Sequence, residues 1–283
     1  MMNTLTQLKS LPFRLFRLPK AWDIKFSPRF LSYAPTMNLF IETPKYILQS
    51  ATRDQLIELF ELRYQIFLED GTEEEESNYD LDQFDHVCDH IVILDKDSKK
   101  IVGTYRILCS TWTEDYYSQG EFYLDRFFQE SGIKLELGRA CIHHGHRNGA
   151  VIDLLWRGIG EYSVRSGARY LFGCSSIKTT SRDDAMAISQ FFQNQQMMGN
   201  EYCIHPIGKF DMKLTQEEIQ GIQQDEIETK KLIPPLLKSY LSAGALVYGA
   251  PALDIDFKCQ DYLTIIDLEN LNPSYRKRYF KEA

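Results

Sequence analysis

The run Leu135-Glu136-Leu137-Gly138-Arg139-Ala140-Cys141-Ile142, followed by the loop His143–Gly149 and an apolar-faced helix, constrains this chain more than any other stretch. On a regular strand side chains alternate between faces, so the odd spacing of Glu136 and Arg139 would send them to opposite sides. A β-bulge at or near Gly138 brings both to one side, splays the strand and leaves backbone N–H groups for a ligand. Downstream, Val151, Leu154, Leu155, Ile159 and Tyr162 recur at helical spacing. The helix start offers free N–H groups and the positive end of the dipole, with Arg147 at the turn. A bulged strand leading to such a helix start predicts a phosphate site.

Periodicity along the rest of the chain predicts strands at Tyr46–Ala51, His90–Leu94, Ile101–Leu108, Lys134–Ile142, Tyr170–Ser175 and Tyr262–Leu268. It predicts helices at Arg53–Leu68, near Leu124–Phe128, over Asp183–Met197, in the charged stretch 215–231 and over Leu236–Ala243. Mixed elements without strict βα alternation point to an α/β (α+β) fold, a twisted mixed sheet flanked by helices. Three parts are expected: an N-terminal arm over 1–44, a core over 45–214, and an extension over 215–283 packed on the core. Gly158 and Gly160 fall inside a helix and read as points of close packing. Glu69–Asp85 holds nine acids and no Lys or Arg, too charged for a buried element.

Charge and cysteine usage exclude several classes. The net charge is −8, yet residues 1–36 carry six Lys/Arg against one acid, so the remainder is more acidic still. A uniformly basic nucleic-acid binder is excluded. The arm mixes Phe13, Phe16, Trp22, Phe26, Phe30 and Tyr33 with basic residues and prolines. That composition suits an anionic membrane surface, or an extended arm packed on the core. The longest apolar runs, such as Gly244–Leu253, reach about half of the roughly 20 residues a spanning helix needs. Six scattered cysteines without a CxxC pair indicate a reducing, cytoplasmic setting. His86 and His90 stand among Asp82, Asp85 and Asp89, and His143, His144 and His146 cluster, but no HExxH or paired CxxC accompanies them. No metal is expected.

Two arginines break the apolar pattern. Arg63 shares a helix face with Phe60 and Phe67, and strand alternation groups Arg106 with Val102, Thr104 and Leu108. Buried guanidinium groups need carboxylates, and Asp82, Asp85 and Asp89 are close in sequence. Such a set is either a structural ion-pair network or part of a site.

The string Glu136–Tyr162 resembles the fourth strand, phosphate loop and third helix of the GNAT acyltransferase superfamily. As a set, Leu62-Arg63-Tyr64-Gln65-Ile66-Phe67, Asp82…Asp85-His86, Gly103-Thr104-Tyr105-Arg106-Ile107-Leu108 and Glu136-Leu137-Gly138-Arg139 resemble two of its branches. These are the acyl-homoserine lactone synthases and the ornithine N-acyltransferases of ornithine-lipid synthesis. The tail Pro234–Leu268 is similar to the second branch. The resemblance implies acyl transfer from acyl carrier protein to an amino-acid amine, ornithine first, giving a lyso-ornithine lipid. The loop departs from the superfamily's Arg/Gln-x-x-Gly-x-Gly/Ala, since Arg147 is followed by Ala150 and Ile152; this suits one pantetheine phosphate better than a coenzyme A pyrophosphate.

The roles implied are those of thioester aminolysis. Glu136 is the candidate general base, through a water, while Arg139 and Arg106 hold the acceptor carboxylate. Asp82 and Asp85 attract its ammonium or pair with the arginines, and Arg63 and Phe67 line the acceptor side. Cys141, Ile142, Arg147, Asn148, Gly149 and Ala150 form the donor side, Cys141 as a small buried hydrophobe rather than an acyl-enzyme nucleophile. No tightly bound cofactor is implied; the donor is the 4'-phosphopantetheine of acyl carrier protein, or acyl-coenzyme A. An acidic carrier needs a basic dock, and residues 134–182 hold eight Lys/Arg against three acids. Membrane association through residues 1–36 would serve a lipidic product. The other readings are a lactone-type or other N-acyl amino acid synthase, and a non-catalytic carrier- or membrane-binding module.

Overall fold

Residues 28–67, 78–223 and 225–281 are described in the computed structural model. Their longest β-branched and aromatic runs pair into one nine-stranded sheet. Its strands are β1 (Phe40–Glu42), β2 (Tyr46–Ser50), β3 (Asp89–Asp95), β4 (Ile101–Cys109), β5 (Ile133–Ile142), β6 (Ala168–Ile177), β7 (Met198–Gly199), β8 (Leu246–Asp254) and β9 (Cys259–Asp267). The order is β1-β2-β3-β4-β5-β6-β9-β8-β7. Neighbours run antiparallel except β5 with β6 and β8 with β7, which are parallel. The expected mixed sheet is therefore present and mostly antiparallel.

Helices cover both faces. On one lie α2 (Gly149–Ser166), α3 (Arg182–Asn194), α4 (Pro235–Ala243) and, against α2, α5 (Pro273–Tyr279). Their apolar stripes meet Tyr105, Ile107, Leu135, Leu171, Tyr262 and Ile266 in the main core. On the other face lies α1 (Leu56–Phe67), which buries Leu56, Leu59, Phe60 and Leu62 against Val92 and Cys141. Farther along that face the irregular segment between β4 and β5 packs Tyr116, Phe122, Leu124 and Phe127 on Leu108, Phe172, Leu263 and Ile265.

The two helical glycines are indeed points of close approach. A Cβ on Gly158 would stand 2.6 Å from the Leu48 side chain, and one on Gly160 would overlap the Tyr279 carbonyl. Absence of a side chain there lets α2 sit on β2 and lets α5 bring Tyr279 to stack on Trp156 at 5.8 Å. Gly173 on β6 plays the same part inside the sheet, since its Cβ would overlap the Leu137 carbonyl oxygen. Gly173→Ala must push β6 off β5, and is expected to cost about 1–3 kcal/mol of stability, read as a lower urea midpoint.

Three differences from the sequence pattern have physical causes. Leu246–Asp254 is a strand although Gly249 and Pro251 interrupt its alternation. A register shift between Tyr248 and Ala252 absorbs them, with Gly249 at a positive φ of 76°. The charged stretch 215–231 divides into Gln216–Gly221 and Glu226–Leu232, each with its own N-cap, Thr215 and Asp225. The acidic run Glu69–Asp85 is not wholly solvated: residues 68–77 lie outside the described set, but Asp80 and Asp85 are buried. Arginines inside the protein supply the reason.

Candidate active site

The site begins where two central strands part. β5 follows β4 along its whole length, yet pairs with β6 only from Ile133 to Glu136. Past Leu137 and Gly173 the strands diverge, β6 remaining with β9 as far as Ile177. β5 also bulges: Thr104 pairs with Cys141 and Arg106 with Gly138, so β5 uses one residue more than β4 between those pairs. The bulge falls where the sequence places it, but the residue in the left-handed region is Arg139, at φ 50°, not the glycine. A side chain at such a φ is strained, and strain of this kind collects at functional sites.

The bulge turns Arg139 onto the face that carries Glu136 and Arg106. All three meet the turn Tyr117–Gly120. Glu136 accepts the Ser118 N–H at 2.7 Å and the Tyr117 N–H at 2.9 Å. The Arg139 guanidinium lies 5.0 Å from the Tyr117 ring centre and that of Arg106 lies 5.7 Å from it. Burial raises the Glu136 pKa, against the opposing hydrogen bonds from Ser118 and Tyr117 and the charge of Arg106.

Beneath the bulge, three arginines and three aspartates alternate. Arg63 donates to Asp80 at 2.6 Å and to Asp85 at 2.7 Å. Arg106 donates to Asp82 at 2.7 Å and lies 3.3 Å from Asp85. Arg139 approaches Asp80 at 3.4 Å and Asp82 at 3.3 Å. Asp82 also caps the short helix Gln83–His86 through the Phe84 N–H, and Asp85 accepts the Asp82 N–H in return. Burial alone would raise the Asp80 and Asp85 pKa values; the arginines outweigh it and hold both below the ordinary range. His90 lies beside Asp85, and burial drives its pKa down to about 4 despite that neighbour.

This geometry sorts the expected residues. Arg63 and Arg106 are ion-paired and buried, so they brace the bulge. Arg139 keeps 13% of its side chain exposed, and its Nε lacks an aligned hydrogen-bond acceptor. Phe67 sits half-buried at the end of α1 with Phe60. Asp89 does not join the network; it accepts the N–H groups of Thr36 and Met37 and the Tyr162 hydroxyl. Cys141 is buried, and burial pushes its thiol up to about 12, against a nucleophilic role.

At the far end of β5 the chain turns through His144–His146 into α2. Arg147 donates from Nε to the Ile142 carbonyl at 3.1 Å, and Asn148 caps α2 through the Val151 N–H at 3.1 Å. Gly149 and Ala150 head the helix, where N–H groups have no intrahelical acceptor. A cavity of about 340 Å³ adjoins them, lined by Tyr46, Lys45, Asn148, Ala150 and Asp153 among others. Part of the basic surplus over 134–182 is spent within the protein, while Arg147 and Lys178 are exposed. Lys134 is buried, Arg139 is in the network, and Arg165, Arg169 and Arg182 pair with Glu161, Asp267 and Glu218.

Asp80, the Tyr117–Gly120 turn and a second set of buried acids, Glu121, Asp254 and Asp261, are absent from the expected site. The last had a signal: Asp261 shares a strand face with Leu263 and Ile265, the same anomaly that marks Arg63.

A family model described as an acetyltransferase (GNAT) domain matches residues 62–157, which run from α1 through the bulge into α2. The chain carries a GNAT acetyltransferase domain. Acyl transfer is thus the enzyme class of this protein. The chain is also similar to curated relatives over most of its length. An L-ornithine N(alpha)-acyltransferase of Rhizobium meliloti (strain 1021) is 26% identical over 238 residues, 78% of this chain and 79% of the relative. One of Agrobacterium fabrum is 28% identical over 241 residues, 78% of this chain and 80% of the relative. Among solved structures, the AHL synthase LasI aligns at a TM-score of 0.46 and 16% identity, covering 83% of this chain and 94% of that one.

Proposed function

We propose that this GNAT domain transfers a fatty acyl group from the phosphopantetheine thioester of acyl carrier protein to the α-amine of L-ornithine, giving a lyso-ornithine lipid. The observation that carries the reading is the splayed, bulged β5. It joins a helix start able to take a phosphate to the stretch where a carboxylate base and an arginine face one turn. The names of the curated relatives support the acceptor. A phosphate at Gly149 and Ala150 would lay the pantetheine arm along the unpaired edge of β5, and backbone N–H groups there would stabilise the developing oxyanion.

The acceptor amine, about as basic as lysine when free, must lose its proton before attack. Glu136 takes that proton through a water, and its raised pKa suits the task. That first proton passes on to solvent. The free amine bonds to the thioester carbon, and its nitrogen gives a second proton to Glu136 through the water. The carbon–sulfur bond breaks, and the thiolate leaves with that second proton returned from the base. Arg139 holds the acceptor carboxylate. Arg147 and Asn148 position the donor phosphate, and Arg63, Asp82, Asp85 and Arg106 hold the bulge in shape. Membrane attachment belongs to the arm over 1–36. Residues 1–27 lie outside the described set, and Phe30, 4% exposed, is spent on Phe60 and His86.

Mass spectrometry of products from acyl carrier protein donors, acyl-coenzyme A donors and a mixed amino-acid pool tests the reading. N-acyl-ornithine formed faster from the carrier donor is the expected result. A faster coenzyme A reaction removes the carrier, a lactone moves the chain to the other branch, and no product from either donor defeats acyl transfer to amino acids.

A further inference from the structure

Three buried acids stand apart from the arginine network. Glu121 follows the Tyr117–Gly120 turn, Asp254 ends β8, and Asp261 lies on β9; each places a carboxylate oxygen within 4.8 Å of the other two. All are buried, Glu121 at 3% exposure. Asp261 accepts the Ser176 hydroxyl at 2.5 Å and faces the Cys259 thiol at 3.6 Å. Asp254 accepts the Phe257 N–H at 3.0 Å. Tyr117 and Cys174 reach the Glu121 carboxylate. Glu121 Oε2, however, has no hydrogen-bond partner. Among the described residues no ion pair joins any of the three to a Lys or Arg, although the charge of Arg139 is felt at Asp261. Buried carboxylates this close repel one another: burial, then Asp261 and Asp254, raise the Glu121 pKa, and burial chiefly brings Asp261 to about 6. A cation placed among them would relieve both costs and occupy the empty oxygen.

Position says which cation. The Tyr117 ring lies under the Arg139 guanidinium and its side chain reaches on to Glu121. Phe257, three residues after Asp254, lies 5.1 Å from the same guanidinium. Arginine and acid cluster are therefore separated by one aromatic wall, on the side of the sheet where Glu136 sits. A small molecule with a carboxylate at one end and an ammonium at the other matches that pair of charges. We propose that Glu121, Asp254 and Asp261 hold the side-chain ammonium of the acceptor while Arg139 holds its carboxylate, selecting a basic amino acid over an apolar one of equal length. The inference rests on the acyl-transfer reading above, and names the residues that set its acceptor.

The test uses the full chain, with Glu121→Gln and Asp261→Asn. Acyl transfer to L-ornithine is compared with transfer to L-norvaline, the same carbon chain without the terminal amine. Thermal unfolding is followed with putrescine, a diamine without a carboxylate, and with Mg²⁺ or Ca²⁺. Each variant is expected to lower the ornithine-to-norvaline ratio of kcat/KM by about 30-fold or more, as losing one partner of a buried charge pair does. Putrescine is expected to raise the Tm of the natural protein and not that of the variants. The variants themselves should unfold no earlier than the natural protein, since a buried like charge is gone. A ratio unchanged in both variants overturns the proposal. So does a Tm that responds to the divalent ions and not to the diamine, which makes the cluster a metal site. If no amino acid is acylated, the acyl-transfer reading falls, and the diamine shift still decides for or against an ammonium site.

Discussion

Replacing Glu136 with glutamine is expected to slow acyl transfer by about 10²–10⁴-fold, the range for loss of a positioned general base. Glutamine preserves the shape of the side chain but has one acceptor oxygen where Glu136 uses two, on the Tyr117 and Ser118 N–H groups. One backbone donor of the turn is then faced by a carboxamide nitrogen, at a cost of about 1–3 kcal/mol. Loss of rate alone would not separate a base from an anchor for the turn; the pH profile does. Burial raises the Glu136 pKa, so the acid limb of kcat/KM should lie above the ordinary glutamate range, and Glu136→Gln should abolish that limb. The stability gap has a sign as well. A carboxyl whose folded pKa is raised contributes stability below its unfolded pKa and loses it as pH rises through the folded value. The natural protein loses that part and the variant does not, so the gap should narrow with rising pH. A variant with the natural pH profile at lower amplitude would reduce Glu136 to an anchor. Natural kcat would remove it from the reaction.

The legible parts of the site are those built on regular elements. Arg63 and Arg106 declare themselves because the 3.6- and 2-residue periods place a charge where apolar neighbours are buried. Both are indeed inward and ion-paired. Gly138 between Glu136 and Arg139 signals the bulge, since an irregularity is the simplest way to put both charges on one side. What hides is whatever sits on irregular chain. Asp80 lies in an acidic run whose composition reads as solvated, and only the fold brings it to Arg63, 17 residues earlier. Tyr117 and Glu121 lie in a segment of short 3₁₀ turns, where no period marks which side chains turn inward. The acid cluster further requires β9 to lie between β6 and β8, a pairing across distant stretches that local pattern does not encode. α5 had its own start signal, Asn272 followed by Pro273 at the first helical position, but its basic last turn gives no apolar stripe. It is held by Tyr275 and Tyr279 against Trp156.

Asp85→Asn is expected to cost about 3–5 kcal/mol, the range for leaving a buried charge without its partner. Asp85 accepts from Arg63 Nη1 at 2.7 Å, Arg63 Nη2 at 3.2 Å, Arg106 Nη1 at 3.3 Å and the Asp82 N–H at 2.7 Å. Asparagine would aim an NH₂ at one of these donors and leave three guanidinium groups to share Asp80 and Asp82. Urea unfolding reads the loss as a lower midpoint. Because the groups act as one network, Arg63→Met combined with Asp85→Asn should lose less than the two single costs together. Additive costs would mean that Arg63 and Asp85 are independent in the folded state. Acid should act on the natural protein in two stages. His90 has a folded pKa of about 4 against an ordinary 6.5, so its share of stability is complete above 6.5 and is lost as pH falls through that window. Asp80 and Asp85, held below their ordinary 3.8, keep their share until pH falls below that value. Asp85→Asn should keep the first stage, weaken the second, and start from a lower Tm at neutral pH. If its Tm matched the natural protein at neutral pH, the arginines would have found other acceptors, and the bulge would not depend on this aspartate for its shape.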